Sequence, residues 1–133
     1  MTWHWEELWD ALTGAIDRAW SPSAGVQLGP LDVEAVDHLP AVAVSWASTP
    51  TDEGSGFTTQ AWRHEVWVQA LWPAPAATVQ FLEDQVAALF REVTPLRARW
   101  EVEAFSVSPW FLRGEPDACG VVIGLYITPI EWR

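Results

Sequence analysis

The sequence predicts an α+β domain. We expect one mixed or antiparallel sheet of about four to five strands, with two helices packed on one face, in the order α-β-β-β-α-β-β. Three observations carry this expectation. Two segments repeat apolar residues at three- and four-residue spacing, the period of a helix. Others alternate apolar and polar residues or run apolar over short stretches, the signature of strands. Half of the 133 residues are apolar, and no repeat or linker divides the chain, so residues 1–133 read as one domain with one core.

The first helix is expected from Trp5 to Trp20. Trp5, Leu8, Trp9, Leu12, Ile16 and Ala19 form its apolar stripe, and Glu6 and Glu7 sit early, where the helix dipole favours negative charge. Ser21-Pro22-Ser23 ends it. Gly25 to Gly29 reads as a short strand, followed by Gly29-Pro30 and an acidic connection from Asp32 to Asp37. A firmer strand runs from Pro40 to Trp46, and Ser48 to Gly56, rich in Pro, Gly and short polar residues, reads as a mobile loop.

A long strand follows from about Thr58 to Trp72. Trp62, His64, Val66, Val68, Ala70 and Trp72 share one face; Arg63, Glu65, Trp67, Gln69 and Leu71 share the other. Because both faces carry tryptophan, one should pack on the helices and the other on something else, such as a neighbouring subunit. Pro73-Ala74-Pro75 stops this strand. The second helix is expected from Ala76 to Val93, on the stripe Val79, Leu82, Val86, Leu89, Phe90 and Val93, and Thr94-Pro95 ends it. Two strands close the chain, Trp100 to Val107 and the nearly all-apolar Val121 to Ile130. The latter should be central and covered on both faces; between them Arg113 to Asp117 is a polar turn.

Charge narrows the function. Eighteen Asp and Glu stand against seven Arg and no Lys, a net charge of −11. Gripping nucleic acid needs cations that displace counterions, so this balance argues against it. It suits solubility, or a surface that DNA slides past without sticking. Lys and Asn are absent while Ala, Pro, Arg and Trp are plentiful, the bias of a GC-rich genome. No stretch has the ~18 uninterrupted apolar residues of a membrane span, and Met1 to Glu7 lacks the pattern of a signal peptide. A single cysteine, Cys119, fits a reducing compartment.

No catalytic, cofactor or metal centre is expected. His4, His38 and His64 are far apart and none has zinc spacing, so His64 reads as a packed, hydrogen-bonded strand residue. Cys119 reads as a small buried hydrophobe rather than a nucleophile. Gly54-Ser55-Gly56 lacks the Lys and helix of a phosphate loop. Glu101 and Glu103 share a strand face, where solvation explains them better than acid–base work. Asp32, Glu34 and Asp37 lack the spacing and closing Glu of a calcium loop.

Eleven tryptophans are more than a domain this size readily buries. Trp is enriched at interface hot spots, so subunit contact is the favoured use of the surplus, with a stacking platform for sugars as the rival. Trp3, Trp5, Trp110 and Trp132, near termini or a turn, and Trp67 on the two-sided strand are the candidate contacts.

The order of elements resembles the tail terminator (tail-completion, head–tail joining) proteins of long-tailed bacteriophages. The resemblance rests on the helix at Leu8-Trp9-Asp10-Ala11-Leu12 and the strand Leu39-Pro40-Ala41-Val42-Ala43-Val44. The loop Thr49–Gly56, the long strand Arg63 to Ala70, the helix Ala76–Glu92 and the closing hairpin complete it. It covers nearly the whole chain and contains no diagnostic motif. It implies a virion protein of the tail or neck, assembled in the host cytoplasm, that forms a homohexameric ring on the tail tube. Such a ring ends tube growth and meets the head–tail connector proteins, and DNA passes through it without specific binding. It implies no catalytic residues and no membrane. Asp52 and Glu53, in the loop expected to order on the tube, join the candidate contacts. The alternatives are another neck or tail-completion subunit, or a small ligand-binding domain or enzyme of ferredoxin-like type.

Overall fold

The computed structural model describes residues 4–31, 39–50, 62–112 and 118–129. Helix α1 (His4–Trp20) buries Leu8, Leu12, Ala15 and Ile16, the apolar stripe its spacing sets. It stops at Ser21, which takes a left-handed φ of 46°; the Ser21 amide and hydroxyl both donate to the Asp17 carbonyl, at 3.0 and 3.2 Å. The exit is then tied to the sheet. Ser23 donates from its amide to the Pro40 carbonyl and from its hydroxyl to the Leu39 carbonyl, each at 2.9 Å.

The strands are β1 (Val26–Leu28), β2 (Ala41–Pro50), β3 (Trp62–Pro73), β4 (Trp100–Leu112) and β5 (Ala118–Pro129). They form one sheet in the order β1-β2-β3-β5-β4. β1 runs parallel to β2, and every other neighbouring pair is antiparallel, so the sheet is mixed. Helix α2 (Thr78–Val93) and a 3-10 turn (Thr94–Ala98) join β3 to β4.

Both helices lie on one face. Val42 and Val44 of β2, Val66, Val68 and Ala70 of β3, and Val121, Ile123, Leu125 and Ile127 of β5 form one core with Leu8, Leu12 and Ile16 of α1 and Leu82, Leu89 and Val93 of α2. The helices touch each other, and the Trp20 indole N–H of α1 donates to the Gln85 carbonyl of α2 at 3.0 Å. Two surface ion pairs, Arg18 with Glu92 at 2.9 Å and Arg99 with Glu7 at 2.7 Å, bridge α1 to the end of α2 and to the turn after it. The other face of the sheet carries no described helix. The Leu31 amide reaches Gln69 Oε1 there, at 3.0 Å, which brings the start of the β1–β2 crossover onto this open face.

The α+β class, the single sheet and the element order stand as read, and several boundaries move. β2 continues through Ser48, Thr49 and Pro50, residues expected to open the loop, because each pairs in register with β3 up to Pro50 opposite Trp62. β4 reaches Leu112 rather than Val107. A register shift between Ala104 and Ser106 accommodates an extra residue, and Pro109 is tolerated because β4 is an edge strand. β5 starts at Ala118 and α2 at Thr78. The remainder of the expected loop, the acidic connection and the polar turn lie outside the described residues.

β5 was expected to be covered on both faces, and it is, by different means. On the open face Gly120 and Gly124 are buried under aromatic side chains. A Cβ on Gly124 would stand 2.6 Å from Phe105 and 2.9 Å from Trp67; one on Gly120 would meet the Ala70 carbonyl and the Trp110 indole. Glycine is required at both positions by close approach.

Candidate functional site

The residues that suggested chemistry are held in structural settings. His64 is fully buried on the helix face of β3, where its Nδ1 accepts from the Trp46 indole N–H at 3.0 Å. An indole N–H can only donate, so Nδ1 is unprotonated in this arrangement. Trp46 in turn lies 6.3 Å from the tilted Trp9 ring of α1 and meets His64 edge to face, making a Trp9–Trp46–His64 cluster beneath the helix. Cys119 is fully buried, and burial pushes its thiol pKa up, away from the thiolate a nucleophile needs. Glu101 and Glu103 are exposed on the open face, opposite Thr128 and Tyr126. Among the described residues no group of three or more His, Cys, Asp and Glu could hold a metal ion. No described helix is long and apolar enough to cross a membrane.

Among the described residues, apolar surface is left wholly or partly uncovered in two places. The first is a groove on the helix side, between α2 and the second half of β4, with a volume of about 520 Å³. It exists because α2 packs on β5 while β4, the edge strand, runs on past it. Leu82 and Val121 form its buried floor. Val79, Val107 and Phe111 line its rim at 65, 46 and 54% exposure. Glu83 supplies its one charged lining group among the described residues.

The second surface is an aromatic row on the open face. The Arg63 guanidinium sits 3.7 Å above the Tyr126 ring, Tyr126 stacks on Phe105 at 4.1 Å, and Phe105 meets the Trp67 edge at 5.0 Å. All three rings are half-buried and Arg63 is exposed. The bulge in β4 aims Phe105 at the Gly124 floor, which assembles the row.

The candidate contact residues divide accordingly. Trp67 belongs to the aromatic row. Trp110 is half-buried on the same face over Gly120, and its indole N–H is shielded from solvent with no hydrogen-bond partner among the described residues. The structure does not bring Trp110 into contact with the row. Trp5 falls within α1, its side chain outside what is described; Trp3, Asp52, Glu53 and Trp132 also lie outside the described residues. Trp20, Trp72 and Trp100 are core residues, and Trp9 and Trp46 pack against the core.

Uncovered surface is not confined to the tryptophans. Among the described residues the exposed large apolar side chains are Leu28, Val79, Val107 and Phe111. Sequence reasoning ended this strand at Val107 and so did not carry it on to Phe111. The alternation Val107, Pro109, Phe111 was the available signal.

The chain matches no protein-family model, and no curated protein is significantly similar to it.

Proposed function

We propose that this chain is a structural subunit of a phage tail or neck, a tail-terminator-like protein. Copies join head to tail into a hexameric ring that caps the tail tube and meets the head connector. The observation that carries this reading is apolar surface left wholly or partly uncovered on both sides of the sheet: the half-buried aromatic row on the open face and the groove beside β4. A ring subunit needs surface for its sister copies and separate surface for the non-self proteins above and below it. The mixed sheet with both helices on one face fits the element order on which the resemblance rests. A net charge of −11 suits a lumen that DNA crosses without binding.

The groove also favours a second reading, a ligand-binding domain, because its volume lies within the ~300–1,000 Å³ range of small-molecule sites. Among its described lining residues Glu83 alone is charged, which offers little to position a substrate.

Light scattering on the purified protein, with negative-stain imaging on tail tubes, tests the ring. The expected result is a species of six chain masses and a ring at the tube end. A monomer or simple dimer at every concentration, with bare tube ends, overturns it.

A further inference from the structure

The groove between α2 and β4 has a chemistry that selects its occupant. We propose that it is a docking site for an amphipathic α-helix of a different polypeptide, with apolar anchors along one face and a Lys or Arg that reaches Glu83. The inference rests on the assembly reading only for the source of that helix, a tube or connector protein.

Shape comes first. The α2 wall runs from Val79 to Phe90, eleven residues of rise, or about 16 Å, which matches a partner of about three helical turns. A helix satisfies its own backbone groups, so laying its apolar face on Val86, Phe90, Val107 and Phe111 strands no buried N–H or C=O. A strand added to the β4 edge is the competing mode. It would need an unbroken row of donors, and Pro109, in the middle of the stretch that lines the groove, has none.

Charge comes second. Glu83 stands at the groove with no ion pair or hydrogen bond among the described residues. Closing an apolar partner over a carboxylate without a counter-charge would cost desolvation energy, whereas a cation at that position turns the same group into a specificity contact. A second copy of this chain is a poor supplier. It has no Lys and a net charge of −11, and two of its seven Arg, Arg18 and Arg99, are already held by Glu92 and Glu7. The occupant the groove favours is therefore basic and non-self.

The test is selection from a displayed library of helical peptides of about twelve residues, with apolar residues fixed at i, i+3, i+4 and i+7 and the rest randomised. Enriched peptides are then synthesised and titrated by fluorescence anisotropy against the full chain and its variants. Enrichment of Lys or Arg is expected. Affinity should fall about tenfold or more in Phe111→Ser, and Glu83→Lys should reverse the charge preference. Circular dichroism checks folding, and Val107→Ser carries the same test should Phe111→Ser unfold.

The proposal is overturned if no peptide is enriched or if enriched peptides have no basic bias. It is also overturned if binding is unchanged in both groove variants, or if Phe111→Ser breaks the protein's own oligomer, which would make the groove a contact between copies. A ring that forms but takes no helix sinks this inference alone; helix binding by a protein that forms no ring sinks the ring alone.

Discussion

At the scale of single residues, the open face is governed by two glycines. Gly124 and Gly120 leave room for Phe105, Trp67 and Trp110 to close over β5, so a sheet face without a described helix still covers this interior strand. Gly124→Ala should therefore push Phe105 and Trp67 off their floor and destabilise the fold by about 1–3 kcal/mol, read as a lowered urea midpoint. An unchanged midpoint would mean that the aromatic row is loosely packed. Cys119 offers a second residue-scale prediction. Burial raises its thiol pKa, so the unfolded chain ionises first as pH rises. The contribution to stability is whole below the unfolded value of about 8.5 and is lost as pH climbs from there through the folded value. Urea midpoints followed from pH 7 to 10 should fall more steeply for the native protein than for Cys119→Ala. Parallel slopes would refute the assignment.

At the scale of elements, α2 shows how one periodic stripe serves two purposes. Val79, Leu82, Val86, Leu89, Phe90 and Val93 recur at helical spacing, and the sequence assigns all six to one apolar face. Only Leu82, Leu89 and Val93 are buried; Val79 overhangs the groove at 65% exposure. Leu89→Ala should cost about 2–5 kcal/mol by opening a cavity in the core. Val79→Ser should change stability by no more than about 0.5 kcal/mol, since its surface is already wet. Thermal unfolding of the two variants separates them, and equal costs would contradict the packing described. β4 makes the complementary point. Its first half buries Trp100 and Val102 in the core, and its second half, beyond the bulge, forms the far wall of the groove.

At the scale of the whole molecule, charge and apolar surface oppose each other. A chain of net charge −11 repels its copies, while the half-buried aromatic row on the open face offers apolar surface for their contact. If copies associate as proposed, salt should strengthen the assembly. Screening shortens from about 30 Å at 0.01 M salt to about 8 Å at 0.15 M, weakening repulsion while burial of apolar surface persists. Light scattering across that range should find larger species at the higher salt. Dissociation by salt would point instead to an interface held by ion pairs, which would remove the proposed role of the aromatic row.

The sequence by itself determined the elements and their order, because period and punctuation are local. The helical stripe of α1, the alternation of β3 and the breakers Pro73-Ala74-Pro75 are all legible without partners. The sequence also assigned the faces of β3 correctly, since a two-residue period fixes which side chains travel together. Tertiary structure alone decided where elements stop and what is left uncovered. Ser48 to Pro50 remain strand because β3 supplies hydrogen-bond partners, and Pro109 does not end β4 because it lies at the edge of the sheet. The groove arises from an offset between α2 and β4, and the aromatic row from rings drawn from three strands. Burial depends on neighbours distant in the chain, so no local pattern could have told Leu89 from Val79.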